Sequence, residues 1–87
     1  MDMVRLLRIS EILYRYDPAE TGSINHKLLD EYEGEAAIIL ENFDNGNIKD
    51  KDDLSECLHD VIYEYFMIHI PYNADLVNEL FEVLNRK

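Results

Sequence analysis

Four stretches of this chain carry apolar residues at intervals of three and four, and residues that stop helices stand between them. The stops are Asp17-Pro18, the run Asp44-Asn45-Gly46-Asn47, and Pro71. That period places apolar side chains on one side of an α-helix. Four such helices joined by these connections predict an all-α fold, a small compact bundle of about four helices. The chain has 87 residues, enough for a single helical domain spanning 1–87 and too few for two cores. A core of that size leaves little room to enclose a large pocket.

The first helix is expected from Met3 to Tyr16, with Val4, Leu6, Leu7, Ile9, Ile12, Leu13 and Tyr16 inward and Arg5, Arg8, Glu11 and Arg15 mostly opposite. Asp17 ends it, because the residue before a proline is disfavoured in helical geometry. Pro18 to Lys27 reads as a loop. The second helix is expected to start between Asn25 and Glu31, or at Gly34, and to end near Asn42. Its inward residues are Leu28 or Leu29, Tyr32, Ala36, Ile39, Leu40 and Phe43, with Glu31, Glu33, Glu35 and Glu41 outside. Asn45-Gly46 would suit a hairpin, but its flanks have helical period, so it reads as a helix-to-helix connection. Asp50 or Asp53 caps a third helix from Asp52 to His69, whose stripe is Leu54, Cys57, Leu58, Val61, Ile62, Tyr65 and Ile68 or His69, widened by Phe66. Asn73 caps a fourth, with Asp75 in its first turn and Leu76, Val77, Leu80, Phe81 and Leu84 inward, ending near Asn85.

Charge is the clearest global signal. Nineteen acids face eight bases, for a formal net charge of −11. Residues Met1 to Leu29 balance, so the excess lies from Asp30 onward. Such a field repels nucleic acid and anionic membranes and speeds encounter with basic proteins. No stretch approaches the roughly 20 apolar residues of a membrane span. No basic leader followed by an apolar run stands at the opening Met1, and cytoplasmic residence is the expectation. A single cysteine, Cys57, excludes an intrachain disulfide.

Sites for chemistry are sparse. Cys57 and His59 are two apart and do not face each other on one helix, so no metal site and no cofactor are expected. The acidic loop fails as a calcium loop: counted from Asp44, the position that needs glycine holds Lys49. His59 with Asp60, and Glu64 with His69, are the pairs that could move a proton. Neither comes with a nucleophile motif or a phosphate-binding loop, so no enzyme activity is expected.

The six tyrosines are harder to place, since a core this small does not easily hide them all. On the third helix, His59, Tyr63, Phe66, Met67 and Ile70 form a face more apolar than solvation requires. Asp52, Asp53, Glu56, Asp60 and Glu64 lie around it. An aromatic centre with an acidic rim suits a protein-binding surface for a basic partner. The expected partner-binding residues are therefore Asp52, Asp53, Glu56, His59, Asp60, Tyr63, Glu64 and Met67. The bland alternative packs Tyr63 and Met67 against another helix.

Two resemblances attach to these motifs. Tyr16-Asp17-Pro18, then Asp30-Glu31-Tyr32, then the acidic stretch from Glu35 to Leu40 resembles a family of small helical bacterial proteins of unknown function, seen mainly in bacilli. The match covers about half the chain and implies no catalytic residues. In size, acidity and helical character the chain also resembles toxin-neutralising immunity proteins of bacterial competition systems. Those bind basic nuclease toxins, frequently through acids around a tyrosine pair. The resemblance implies that Tyr63 and Tyr65, with Glu56, Asp60 and Glu64, would meet a cognate basic toxin, although these tyrosines are not adjacent. A regulatory or adaptor bundle, or a homodimer joined through the third helix, is the alternative.

Overall fold

A computed structural model describes residues 2–17 and 32–86, and those described residues form four α-helices. They are α1 (Met3–Tyr16), α2 (Glu33–Asp44), α3 (Lys51–Phe66) and α4 (Ala74–Asn85). Helix α1 packs on α2 and α4, and α3 packs on the same two, so the four close into a ring. The expected start of the second helix between Asn25 and Glu31, the loop from Pro18 to Lys27, and Leu28 and Leu29 lie outside the described residues. Among the described residues no helix is long and apolar enough to cross a membrane.

The helix ends follow local chemistry. Asp2 opens α1 by accepting from the Val4 amide at 3.0 Å and the Arg5 amide at 3.2 Å. The bonds from the Arg5 amide and side chain hold the Asp2 carboxyl below its ordinary range. Asp17 closes α1 in a left-handed conformation, φ 45°, its amide donating to the Leu13 carbonyl at 2.8 Å. Asp50, not Asp53, caps α3, accepting from the Asp53 amide at 2.8 Å. Asp53 reaches back to the Lys49 amide at 3.0 Å, so the two aspartates act much as a capping box does. Asn73 caps α4 through the Leu76 amide at 3.1 Å.

After α2 the chain turns at Gly46, φ 82°. The Asn45 amide donates to Glu41, Gly46 to Phe43 and Asn47 to Asn42, all to backbone carbonyls. Those bonds consume the carbonyls left open at a helix C-terminus. Asn45-Gly46 is thus a helix stop, and α2 runs two residues past the expected Asn42.

The core draws on all four helices, with Ile9, Leu13, Tyr32, Ile39, Leu40, Leu54, Ile62 and Leu80 fully buried. Several expectations need correcting. Val4 and Leu7 are exposed, at 64% and 55%. The stripe of α1 runs through Leu6, Ile9 and Leu13, and roughly 100° per residue turns Leu7 and Val4 well away from it. Glu35, expected outside, is buried on α2 beside Ala36. Ile48, in the α2–α3 connection, and Val83 also join the core. Tyr65 is 51% exposed instead of central. Its hydroxyl lies beside Gly34, 3.6 Å from where a Cβ there would stand.

Helix α3 ends three residues short of His69. Met67 takes φ 58° and its amide donates to the Tyr63 carbonyl at 2.7 Å. Beyond it Ile68 and Ile70 both pack against the core. Alternate residues of a non-helical segment share a side, so leaving the helix at Met67 buries two isoleucines.

Polar bonds set the relative direction of the helices. Arg5 donates to Asp2 at 3.0 Å, to Asp44 at 3.1 Å and to the Leu84 carbonyl at 3.0 Å. The start of α1 therefore sits at the ends of both α2 and α4, which makes α1 antiparallel to each. At the other end of α1, Arg15 meets Glu79 at 3.0 Å and the Tyr16 hydroxyl donates to the same carboxylate. That carboxyl is held low by Tyr16 and Arg15, and the Tyr16 hydroxyl is pushed up by the same bond. The Tyr32 hydroxyl donates to Asp17 at 2.6 Å, tying the start of α2 to the end of α1.

Two substitutions probe this frame. Arg5→Met keeps the apolar stem and removes every one of those donors. It is expected to lower stability by about 1–2 kcal/mol in urea unfolding, with little change in helicity. Gly34→Ala meets only ordinary van der Waals contact with Tyr65 and is expected to raise stability by up to about 1 kcal/mol. The same unfolding curves decide both.

Candidate partner-binding face

Helix α3 presents its side chains on three flanks, and the expected binding residues divide among them. Asp53, Glu56, Asp60 and Glu64 recur at three- and four-residue spacing along the flank beside α2. There they edge a shallow furrow of about 400 Å³ whose floor includes Ile38, Cys57 and Val61. Asp52, Glu56 and His59 edge a second groove, against the segment leading into α4. Glu56 borders both. Tyr63 and Met67, at 45% and 77% exposure, stay in solvent, so the bland packing of these two against another helix does not occur within the described residues. Ile70, expected on the same exposed face, is half-buried against the core, and so is Phe66, which the spacing placed both on that face and at the edge of the buried stripe. Phe66 sits 5.8 Å from the Tyr32 ring, centre to centre.

His69 is the residue that sequence reasoning misplaced. On a continuous helix it would lie roughly 15 Å along the axis from His59. Because α3 stops at Met67, His69 folds back. Its Nδ1 lies 3.1 Å from Nε2 of His59, a hydrogen bond that needs a proton on one nitrogen of the two. The imidazoles stack with centres 5.1 Å apart, and the Tyr63 ring lies 4.7 Å from that of His69. Pro71 was the only hint in the sequence that the helix ends before this residue. The proton-transfer pairings are rearranged accordingly. His69 partners His59 and not Glu64, and Nδ1 of His59 stands 3.7 Å from Asp60, beyond the reach of a hydrogen bond.

Among the described residues no three His, Cys, Asp or Glu side chains gather as a metal ion would require. Cys57, half-buried in the furrow floor, has its thiol pushed up to about 11, first by burial and then by the negative charge of Asp60. A thiolate, not a thiol, attacks alkylating agents. At pH 8 Cys57 is expected to react with iodoacetamide on the order of 100-fold more slowly than it does in the urea-unfolded chain. Mass spectrometry of timed, quenched samples reads the rate.

Comparison with protein-family models, with curated proteins and with solved structures found no match to this chain. The functional reading therefore rests on the chain's own residues.

Proposed function

We propose that this protein is a non-enzymatic binding module that captures a basic protein through the exposed side of α3, in the manner of an immunity protein neutralising a toxin, with a nuclease as the best candidate. The observation that carries this reading is the exposure of Tyr63 and Met67 beside a row of carboxylates. Aromatic and methionine side chains supply contact area at interface centres. The acids Asp53, Glu56, Asp60 and Glu64 supply the attraction and steer the encounter. Inhibition would follow by covering: a basic surface that grips nucleic acid is the surface an acidic helix would occupy. This reading places the protein in the cytoplasm, where a producing cell needs protection.

The experiment is a tagged pull-down from the native cells, followed by binding and activity measurements on the captured protein. The expected outcome is a basic partner held at one-to-one stoichiometry, released by salt and inactive in the complex. Glu56→Lys with Asp60→Lys is expected to weaken that complex at least about tenfold, since like charges set opposite a basic surface are costly. Unchanged affinity in that variant would remove the charge argument. A captured protein that keeps full activity would move the reading to an adaptor.

A further inference from the structure

The groove on the other flank of α3 differs from the acid-edged furrow in what lines it. Leu58, Ile70, Pro71, Leu76 and Val77 give it an apolar floor. Asp52 and Glu56 stand exposed on one lip, and the rings of His59 and Tyr72 border it as well. Its volume is about 390 Å³, the low end of ligand-sized sites. Tyr72 is 62% exposed, a large ring left in solvent beside an apolar hollow.

We propose that this groove seats an arginine side chain of the partner together with its apolar neighbour, which deepens the reading of a basic partner and rests on it. Arginine alone among cationic side chains combines the three features the groove answers. Its methylene stem covers apolar surface. Its planar guanidinium stacks on ring faces. Its fixed fork of donors suits carboxylates such as those of Asp52 and Glu56. A lysine matches the charge and the stem but neither the stacking nor the fork.

A competing pull comes from α4, whose N-terminus borders the groove and whose dipole favours an anion. Two groups within the chain answer it: the Asn73 side chain takes the Leu76 amide, and Asp75 lies in the first turn. The carboxylates of Asp52 and Glu56 then decide the sign of the groove.

The test is an NMR titration of the ¹⁵N-labelled full chain, at low salt, with three capped hexapeptides alternating leucine with arginine, lysine or aspartate. The arginine peptide is expected to shift the amides of His59, Ile70, Tyr72 and Val77 most, and to bind at least about threefold tighter than the lysine peptide. Asp52→Asn with Glu56→Gln, both at exposed positions, is expected to weaken it about fivefold. Tyr72→Ala is expected to erase the preference for arginine over lysine. Shifts confined to Asp53, Asp60 and Glu64 would overturn the groove while leaving the capture of a basic partner by α3 standing. An equal response to the aspartate peptide, or none to any peptide, would overturn the groove too. The capture reading is decided separately, by Asp60→Lys with Glu64→Lys in the complex, since these two residues edge the furrow and not the groove.

Discussion

Arg5 joins the start of α1 to the ends of α2 and α4 through a single side chain. Its guanidinium has donors enough to bond Asp2, Asp44 and the Leu84 carbonyl together, which no lysine could do in one plane. Burial works against its charge, yet the bonds to Asp2 and Asp44 raise its hold on the proton above the ordinary arginine range. The Leu84 carbonyl lies near the end of α4, where a cation is favoured by the helix dipole. With the start of α1 fixed against the ends of α2 and α4, the ring can close only with α1 antiparallel to both. At its other end Arg15 and Tyr16 meet Glu79. The exposed side of α3 thus belongs to a frame whose polar ties lie on the far side of the core.

The binding face follows from where helices stop as much as from what they contain. The stop at Met67 turns Ile68 and Ile70 inward and sends His69 back onto His59. The same reversal delivers Pro71 and Tyr72 to the groove beside α3. One residue in a left-handed conformation therefore shapes one wall of the face. The carboxylate row needs no such event, because helical spacing alone aligns Asp53, Glu56, Asp60 and Glu64.

Much of this was legible beforehand, and the exceptions share a cause. Helix number and type, the cap at Asn73, the choice of cap between Asp50 and Asp53, and the stop at Asn45-Gly46 are local matters of side-chain hydrogen bonding and period. Exposure is not local. Tyr65 lies on the apolar side of α3 by spacing, yet it reaches past the core to Gly34 at the start of α2. Glu35 is buried on α2 although its spacing places it outside. Ile48 reads as loop and is core. In the candidate site, spacing left Tyr63 and Met67 open between exposure and packing, and both are exposed; the contact between His59 and His69 required the chain reversal at Met67, which helical period does not show.

The meeting of Arg5 with the Leu84 carbonyl bridges a separation of 79 residues. Helices α2 and α3, and α3 and α4, can each dock soon after both members form, since short connections separate them, while α1 and α2 must first close the longer stretch from Asp17 to Tyr32. The α1–α4 seam instead waits on nearly the whole chain being gathered, and loop-closure entropy makes it the slow event. Helical hairpins should therefore assemble first and the seam seal last. Because that seam brings the beginning of α1 beside the end of α4, a short peptide linking those two helix ends, with the chain reopened in the exposed turn at Asn45-Gly46, would give a permuted order of the same helices in which the last contact to form becomes one of the first.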